Sequence, residues 1–466
     1  MFFLRQFHIL ASILSLLCLI GCAHTYKDSP TLGFSLPEQW QASSVVKLDS
    51  NNDRWIDYFK DNEQLRGLIE KGLASNYNLS IANSRVLIAQ AELKAINPNQ
   101  LPEINLQMRG ARQKYNTISA FSPPGIVNDY SLNLGLNWEL DFWGKLNNQK
   151  QSVAFNYKAT EEDFKYAQIS LASQIAKIWL NIMHAKGQLE LSKKIIDTYS
   201  KIEQSMLERY QGGLVTASDY LKAKANKDSL YEEQLRLEKE TAILTRSLEV
   251  LLGEYPSTKN LTYTPLPNLH SRIPVGLPSE LLLNRPDILA AEQRVQSTKA
   301  SIKNAQKRRF PQFSLTGTLG HSSDTLKDLL DSKYSAWSVA SGIAQPFINH
   351  GKIKAGIDQA KSRFSEAEAS YNQTVLIAFS EVENALSNES FLFEQWNANN
   401  RQLIAALEST RISKEGYRHG TEDFLTFMNA LINAFRMEQN NLSLKRLQLE
   451  NRIDLYHALG ESFIES

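Results

Sequence analysis

Side chains able to do covalent or metal chemistry are few in this sequence and wrongly spaced for it. The 466 residues include 8 histidines and 2 cysteines. No His-Glu-x-x-His pair, Gly-x-Ser-x-Gly elbow, phosphate loop or Gly-x-Gly-x-x-Gly turn occurs. His350-Gly351-Lys352 brings a glycine and a lysine together at a turn but lacks the upstream glycine a phosphate loop requires. Both cysteines, Cys18 and Cys22, sit at the extreme N-terminus, so no disulfide framework or thiolate cluster can form downstream. The reading is of a chain that is not an enzyme and holds no cofactor or metal.

Composition narrows the classes further. Lys plus Arg is 51 and Asp plus Glu is 50, so no broad basic face for nucleic acid is expected. A mean hydropathy of −0.35 excludes a polytopic helical membrane protein. A β-barrel survives that test, because its lumen-facing residues are polar.

Proline placement points to long helices. None lies between Pro124 and Pro256 and none follows Pro346. Interior proline costs a helix about 3 kcal/mol, so such tracts permit long helices. Leu171, Ile175, Ile178, Ile182, Ala185, Leu189 and Ile196 add the 3–4 spacing of a coiled-coil seam. The spacing predicts a helix from about Lys145 to Tyr210, roughly 100 Å at 1.5 Å per residue.

An internal repeat accounts for the length. Tyr210-Gln211-Gly212-Gly213 matches Tyr417-Arg418-His419-Gly420 at an offset of 207 residues. The same offset relates Gly135 to Gly342, Gly144-Lys145 to Gly351-Lys352, and Leu252-Gly253-Glu254 to Leu459-Gly460-Glu461. Upstream, Arg85-Val86 matches Arg294-Val295 at 209. Each half reads helix, two strands, long helix, glycine break, helix. The expected division is 54–254 and 277–461, with a linker at 255–276 and a tail at 462–466.

The expected strands alternate strictly. Ile104, Leu106 and Met108 interleave with polar residues, as do Leu132, Leu134, Leu136, Trp138 and Leu140. Pro123-Pro124-Gly125 marks a loop within Tyr115–Asn128. Strands are expected at about 103–112, 130–141, 312–320 and 336–347. Alternation over about ten residues suits a membrane strand, apolar toward lipid and polar toward a lumen. Four strands cannot close a conducting barrel, so several chains would have to share one.

At the N-terminus, Arg5 precedes an apolar stretch from Phe7 to Ile20, too short to span a bilayer but right for a signal peptide over 1–21. Leu19-Ile20-Gly21-Cys22 resembles a bacterial lipobox, which implies cleavage before Cys22 and its acylation; Ala23 at the next position implies sorting to the outer membrane. Segment 22–53 would then be the lipidated N-terminal stretch. Removal of 1–21 takes Arg5 and no acid, leaving a neutral mature chain.

Several motifs together resemble the outer-membrane factors of tripartite efflux and secretion systems, TolC-like channels of the lipoprotein branch. They are Trp138-Glu139-Leu140-Asp141-Phe142-Trp143-Gly144-Lys145, Leu281-Leu282-Leu283-Asn284-Arg285-Pro286-Asp287-Ile288, Pro346-Phe347-Ile348-Asn349-His350-Gly351, and the paired Tyr-x-x-Gly turns. The resemblance implies a mainly α fold with membrane β, built as a homotrimer. Four strands per chain would form a shared twelve-stranded barrel in outer-membrane lipid, above a long periplasmic α-helical barrel. It implies no nucleic-acid partner and a passive exit duct, which docks a periplasmic membrane-fusion adaptor and an inner-membrane pump. Gly213, Leu214, Val215, Gly420, Thr421 and Glu422 would be the adaptor-docking tips. Asp219, Asp423, Thr426 and Asn429 would line the aperture. Where many relatives carry acids in the second half, this chain has Thr426 and Asn429, so the closed pore is expected to rely on hydrogen bonding and sterics and to resist divalent block. A polypeptide-secretion duct and a pore-less coiled-coil scaffold lipoprotein are the alternatives.

Overall fold

The computed structural model describes residues 32–34, 37, 40–41, 62–96, 100–115, 125–267, 269 and 285–460. The chain divides into two compact units, Met1–Phe34 and Ser35–Ser466. The account below concerns the second. The expected signal segment 1–21, Cys22 and the tail 462–466 lie outside the described residues.

The elements in chain order are α1 (Glu63–Ser75), α2 (Tyr77–Ile96), β1 (Glu103–Tyr115), β2 (Gly125–Leu140), α3 (Lys145–Gln211), α4 (Ala217–Leu251), α5 (Pro286–Lys307), β3 (Gln312–Ser323), β4 (Ser335–Ala344), α6 (Lys352–His419) and α7 (Phe424–Leu459). At 67 and 68 residues, α3 and α6 each run about 100 Å. Among the described residues six glycines adopt positive φ: 144, 213 and 253 in the first half, and 351, 420 and 460 in the second. The sequence offset of 207 thus pairs identical backbone breaks, at the start of the long helix, at its end, and at the end of the helix after it.

One strand boundary needs correction. The β1–β2 ladder extends to Tyr115↔Gly125, so Tyr115 and Gly125–Asn128, read from sequence as loop, are strand. The ladder is a backbone interaction and persists beyond the point where side-chain alternation fades. β4 ends at Ala344, short of the expected 347, where Pro346 has no N–H to donate.

The main core lies where α1, α3, α4 and α7 converge. Leu65, Ile69, Ile175, Trp179, Leu180, Met183, Leu248, Ile453 and Tyr456 are all buried there. Of the predicted seam, Leu171, Ile175, Ile182 and Ala185 are buried, and Ile178, Leu189 and Ile196 half-buried. Buried charge enters with partners. Arg285, 1% exposed, forks onto Asp287 (2.7 and 2.9 Å), donates to Glu381 Oε2 (2.6 Å) and to the Ala458 carbonyl (3.0 Å). Burial opposes its charge, but the hydrogen bonds and attraction of these carboxylates prevail and hold its pKa above the ordinary value. One guanidinium therefore ties the start of α5 to α6 and to the end of α7.

Along α3 and α7 runs a polar ladder: Lys177 to Asp454 (2.6 Å), Asn181 to Glu450 (2.6 Å), His184 to Ser443 (3.1 Å) and Gln188 to the Gln439 carbonyl (2.9 Å). Burial and then Arg446 push His184 down to about 4.

Two outcomes follow. Replacing Arg285 by Ala removes its charge-assisted bonds to Asp287, Glu381 and the Ala458 carbonyl and should cost about 1.5–3 kcal/mol in a denaturant titration, more than Arg285→Lys. His184 stays neutral in the native state down to about pH 4, while the unfolded chain protonates it near 6.5. Its contribution to stability is therefore complete above pH 6.5 and is lost as pH falls toward 4. The unfolding midpoint measured across that window should fall less steeply in His184→Gln than in the parent chain.

Candidate functional site: the sheet and the helix tips

The four strands form one antiparallel sheet in the order β1-β2-β3-β4. Directly opposed residues share a face, so the register decides whether the apolar alternation of each strand adds up. It does. Ile104, Leu106 and Met108 oppose Leu136, Leu134 and Leu132; Leu134, Trp138 and Leu140 oppose Leu319, Leu315 and Phe313; Leu319, Gly317 and Phe313 oppose Trp337, Val339 and Ile343. The register explains the weak alternation of β4: Trp337, Val339 and Ile343 fall on the apolar face but Ser341 joins them opposite Leu315, with Ser338 and Gly342 on the other face.

The opposite face carries Asn105, Gln107, Ser131, Asn133, Asn137, Ser314, Thr316, Thr318 and Ser338. From Leu132 to Leu140 the apolar belt spans about 27 Å of strand at ~3.3 Å per residue, the length of a tilted membrane strand. These side chains are open to the surroundings in the single chain: Leu106 is 68% exposed and Trp337 76%. Among the described residues no strand covers the outer edge of β1 or of β4.

The Trp138–Lys145 motif is the joint between sheet and helix. Trp138 Nε1 donates to the Gln100 carbonyl (3.0 Å) and Trp143 Nε1 to that of Pro311 (2.8 Å). Asp141 accepts from the N–H groups of Leu146 (3.0 Å) and Asn147 (2.8 Å), capping α3, and Glu139 pairs with Lys145. Phe142 packs on Phe313 (4.7 Å between centroids) and Trp143 stacks on Phe310 (5.0 Å). The joint thus holds both halves at the same level. Sequence alone marked these residues as a motif without revealing that the second half supplies half of their partners.

At the far ends of the long helices lie the predicted tips. Gly213 (φ +71) closes α3, with Leu214 N–H donating to the Arg209 carbonyl (2.8 Å). Gly420 (φ +78) closes α6, with Thr421 N–H donating to the Gly416 carbonyl (2.9 Å). Leu214 is 78% exposed, whereas Val215 packs against the tip core of Tyr199, Met206, Phe424, Phe427 and Met428.

Three of the four residues expected at the aperture, Asp219, Asp423 and Thr426, have definite local duties. Thr216 and Asp219 form a capping box on α4. Asp423 caps α7 by accepting from Thr426 N–H (2.7 Å), and that bond, helped by the Thr426 hydroxyl and by Lys222 of the other tip, holds its pKa below the ordinary value. Thr426 and Asn429 are exposed on α7. Glu422 lies back across Gly416.

Two features of the tips escaped the sequence reading. Arg209 donates to the Tyr417 hydroxyl (2.9 Å) with its guanidinium 5.4 Å from the ring, tying one tip to the other, and Tyr210 stacks on Tyr220 (6.0 Å). The repeated Tyr-x-x-Gly was the available signal, but it was read for its glycine.

The model of the family described as outer membrane efflux protein matches residues 68–254 and 277–461, one match per half. The chain belongs to the outer membrane efflux protein family. It is similar to the cation efflux system protein CusC of Escherichia coli K12, 28% identical over 452 residues, covering 95% of this chain and 97% of CusC. It is also similar to the Salmonella typhimurium protein named "Probable outer membrane lipoprotein SilC", 26% identical over 463 residues, covering 98% and 99%. The solved structure of the outer-membrane channel OprN superposes with a TM-score of 0.87 at 25% identity, covering 95% of this chain and 98% of that one. The fold is therefore that of the TolC-like trimeric channels, with the sheet as its contribution to an outer-membrane barrel and the long helices as wall of a periplasmic tunnel. The chain is thus an outer-membrane efflux channel. Among the described residues no group of His, Cys, Asp and Glu could hold a metal, and no helix is long and apolar enough to cross a membrane.

The glycines that close the helices give a graded test. A Cβ at Gly213 or Gly420 meets nothing within 4 Å, so Ala there costs only the left-handed backbone, about 1 kcal/mol. A Cβ at Gly253 would lie 2.5 Å from the Ser75 carbonyl oxygen. Gly253→Ala should therefore lower the thermal unfolding midpoint distinctly more than Gly213→Ala.

Proposed function

We propose that three copies of this chain close one barrel, and that the homotrimer is the gated, passive exit duct of a tripartite system exporting small molecules. The carrying observation is the sheet: one face apolar across all four strands, one face polar, and two outer edges left for neighbours. In a bilayer those edge N–H and C=O groups need partners, and only closure supplies them. β4 of one protomer pairing with β1 of the next meets that need.

In this reading a periplasmic adaptor docks at the tips formed by Gly213, Leu214, Val215, Gly420, Thr421 and Glu422. The pump in the inner membrane supplies the energy, in keeping with a sequence that lacks a phosphate-loop motif. Cys22 carries the covalent lipid, a reading supported by the lipobox-like run before it and by the name given to SilC. The barrel wall favours passage without strong charge selection, because its middle is lined by amides and hydroxyls. Cargo is then set by the pump. CusC is named for cations, and that substrate is one candidate here.

The aperture reading assigns closure to Thr426 and Asn429, with Asp219 and Asp423 engaged as helix caps. Detergent-extracted protein should migrate as a heat-dissociable trimer and conduct in planar bilayers. Added divalent cations should block it only weakly. A monomer released by carbonate wash would identify a scaffold lipoprotein instead. Strong divalent block abolished by Glu422→Gln would show that an acidic ring, not the amide and hydroxyl pair, closes the pore.

A further inference from the structure

The apolar face of the sheet does not end in neutral residues. Beyond the last apolar pair of the β1–β2 ladder, Met108↔Leu132, come Gly110↔Tyr130, then Arg112↔Asn128, then Lys114↔Ile126, all on the same face. The order along the strand is apolar belt, tyrosine, cations, at the end of the sheet away from the helices. Arg112 and Lys114 are exposed, and neither is in an ion pair among the described residues. Between Met108 and Tyr130 the sequence holds a single acid, Asp129. Asp129 opposes Ala111 on the polar face, where Ser322 Oγ donates to it (3.4 Å). The remaining cation of the hairpin, Arg109, also lies on the polar face, opposite Ser131.

Physics restricts where such cations can sit. A lipid-facing Arg or Lys costs about 2–4 kcal/mol at the bilayer midplane and about 0–1 kcal/mol near an interface. Arg112 and Lys114 stand four and six residues past Met108, about 13 and 20 Å along the strand. That distance carries them out of the hydrocarbon to headgroup level, one step beyond Tyr130, which takes the aromatic position at the boundary. Two residues apart on one face, their side chains start about 7 Å from each other. A guanidinium and an ammonium side by side, facing lipid and lacking acids, match phosphate groups, with the arginine able to bind two oxygens at once.

We propose that Arg112 and Lys114 form a ledge that binds the phosphate groups of an outer-leaflet glycolipid. The inference rests on the apolar face being the lipid face, as the trimeric duct requires, and adds a specific lipid partner to it. The ledge would occur once per protomer, anchoring the barrel at a fixed depth.

The test uses the full-length trimer in neutral detergent. Bis-phosphorylated lipid A and its dephosphorylated form are added in mixed micelles, and retained lipid is quantified after gel filtration. The parent trimer should retain the phosphorylated form in preference. The double variant Arg112→Gln/Lys114→Gln should bind it about 30-fold more weakly, at the usual increment for two cations near an anionic surface, with conductance and trimer stability unchanged. Arg109→Gln, on the polar face, should retain lipid like the parent.

Equal retention by the double variant overturns the proposal, as does an equal loss in Arg109→Gln, which would mark a diffuse charge effect. Displacement of the lipid by millimolar inorganic phosphate would assign the ledge to the free anion and overturn it as a lipid site. Weakening of the lipid-free trimer in the double variant would assign the cations to the subunit boundary and likewise overturn it. Conductance of the parent trimer is read in parallel, so loss of the ledge and loss of the duct reading are told apart.

Discussion

A strand in lipid must give every backbone N–H and C=O a partner, and the described residues of this chain supply four strands to do so. That shortage governs the rest of the molecule. Three internal ladders satisfy the inner edges, while the outer edges of β1 and β4 are left for other chains. Apolar residues lie exposed on one face because lipid, not protein, is their intended surroundings. The helices then have to hold four strands at one level and in one register before any neighbour arrives. The joint at Trp138–Lys145 does this with tryptophan N–H groups reaching both halves and with Asp141 capping the start of α3.

The helical part answers a different constraint. Helices of about 100 Å have little bulk around them in a single chain, so apolar cores form where α1, α3, α4 and α7 meet and again at the tips. Elsewhere the packing is carried by polar ladders and paired charges. Arg285 shows the logic: it is almost wholly buried yet holds two carboxylates and a carbonyl, so removing it loses those charge-assisted bonds along with its packing. The α3–α7 ladder of amides, His184 and serines joins the two long hairpins through directional bonds, which fix the sliding register of two smooth rods more sharply than apolar contact alone.

Much of the architecture was legible in the residues. Three of the glycine pairs at an offset of 207, 144/351, 213/420 and 253/460, marked the helix breaks, and each of those six adopts the left-handed backbone that other residues avoid. Strict alternation located β2 and the start of β1. The loop around Pro123-Pro124 was read too long, because a ladder between backbones leaves no trace in side-chain type once apolar and polar residues cease to alternate, as at Ile126-Val127 opposite Gln113-Lys114. The tips were located by glycine, but the Arg209–Tyr417 bridge was not, since its partners lie on different helices some two hundred residues apart.

By itself, the sequence determined local geometry: where helices start and stop, which residues alternate, and that two halves repeat. These depend on φ preferences, spacing and capping within a few residues. Only the tertiary structure decided that the alternations of four strands fall on one common face, that Asp219 and Asp423 serve as caps, and that Arg112 and Lys114 continue the lipid face beyond its apolar belt. Register is a relation between strands, and a slip of one residue would turn every side chain of a strand to the opposite face. No single segment carries that information, which comes from pairings between residues far apart in the chain.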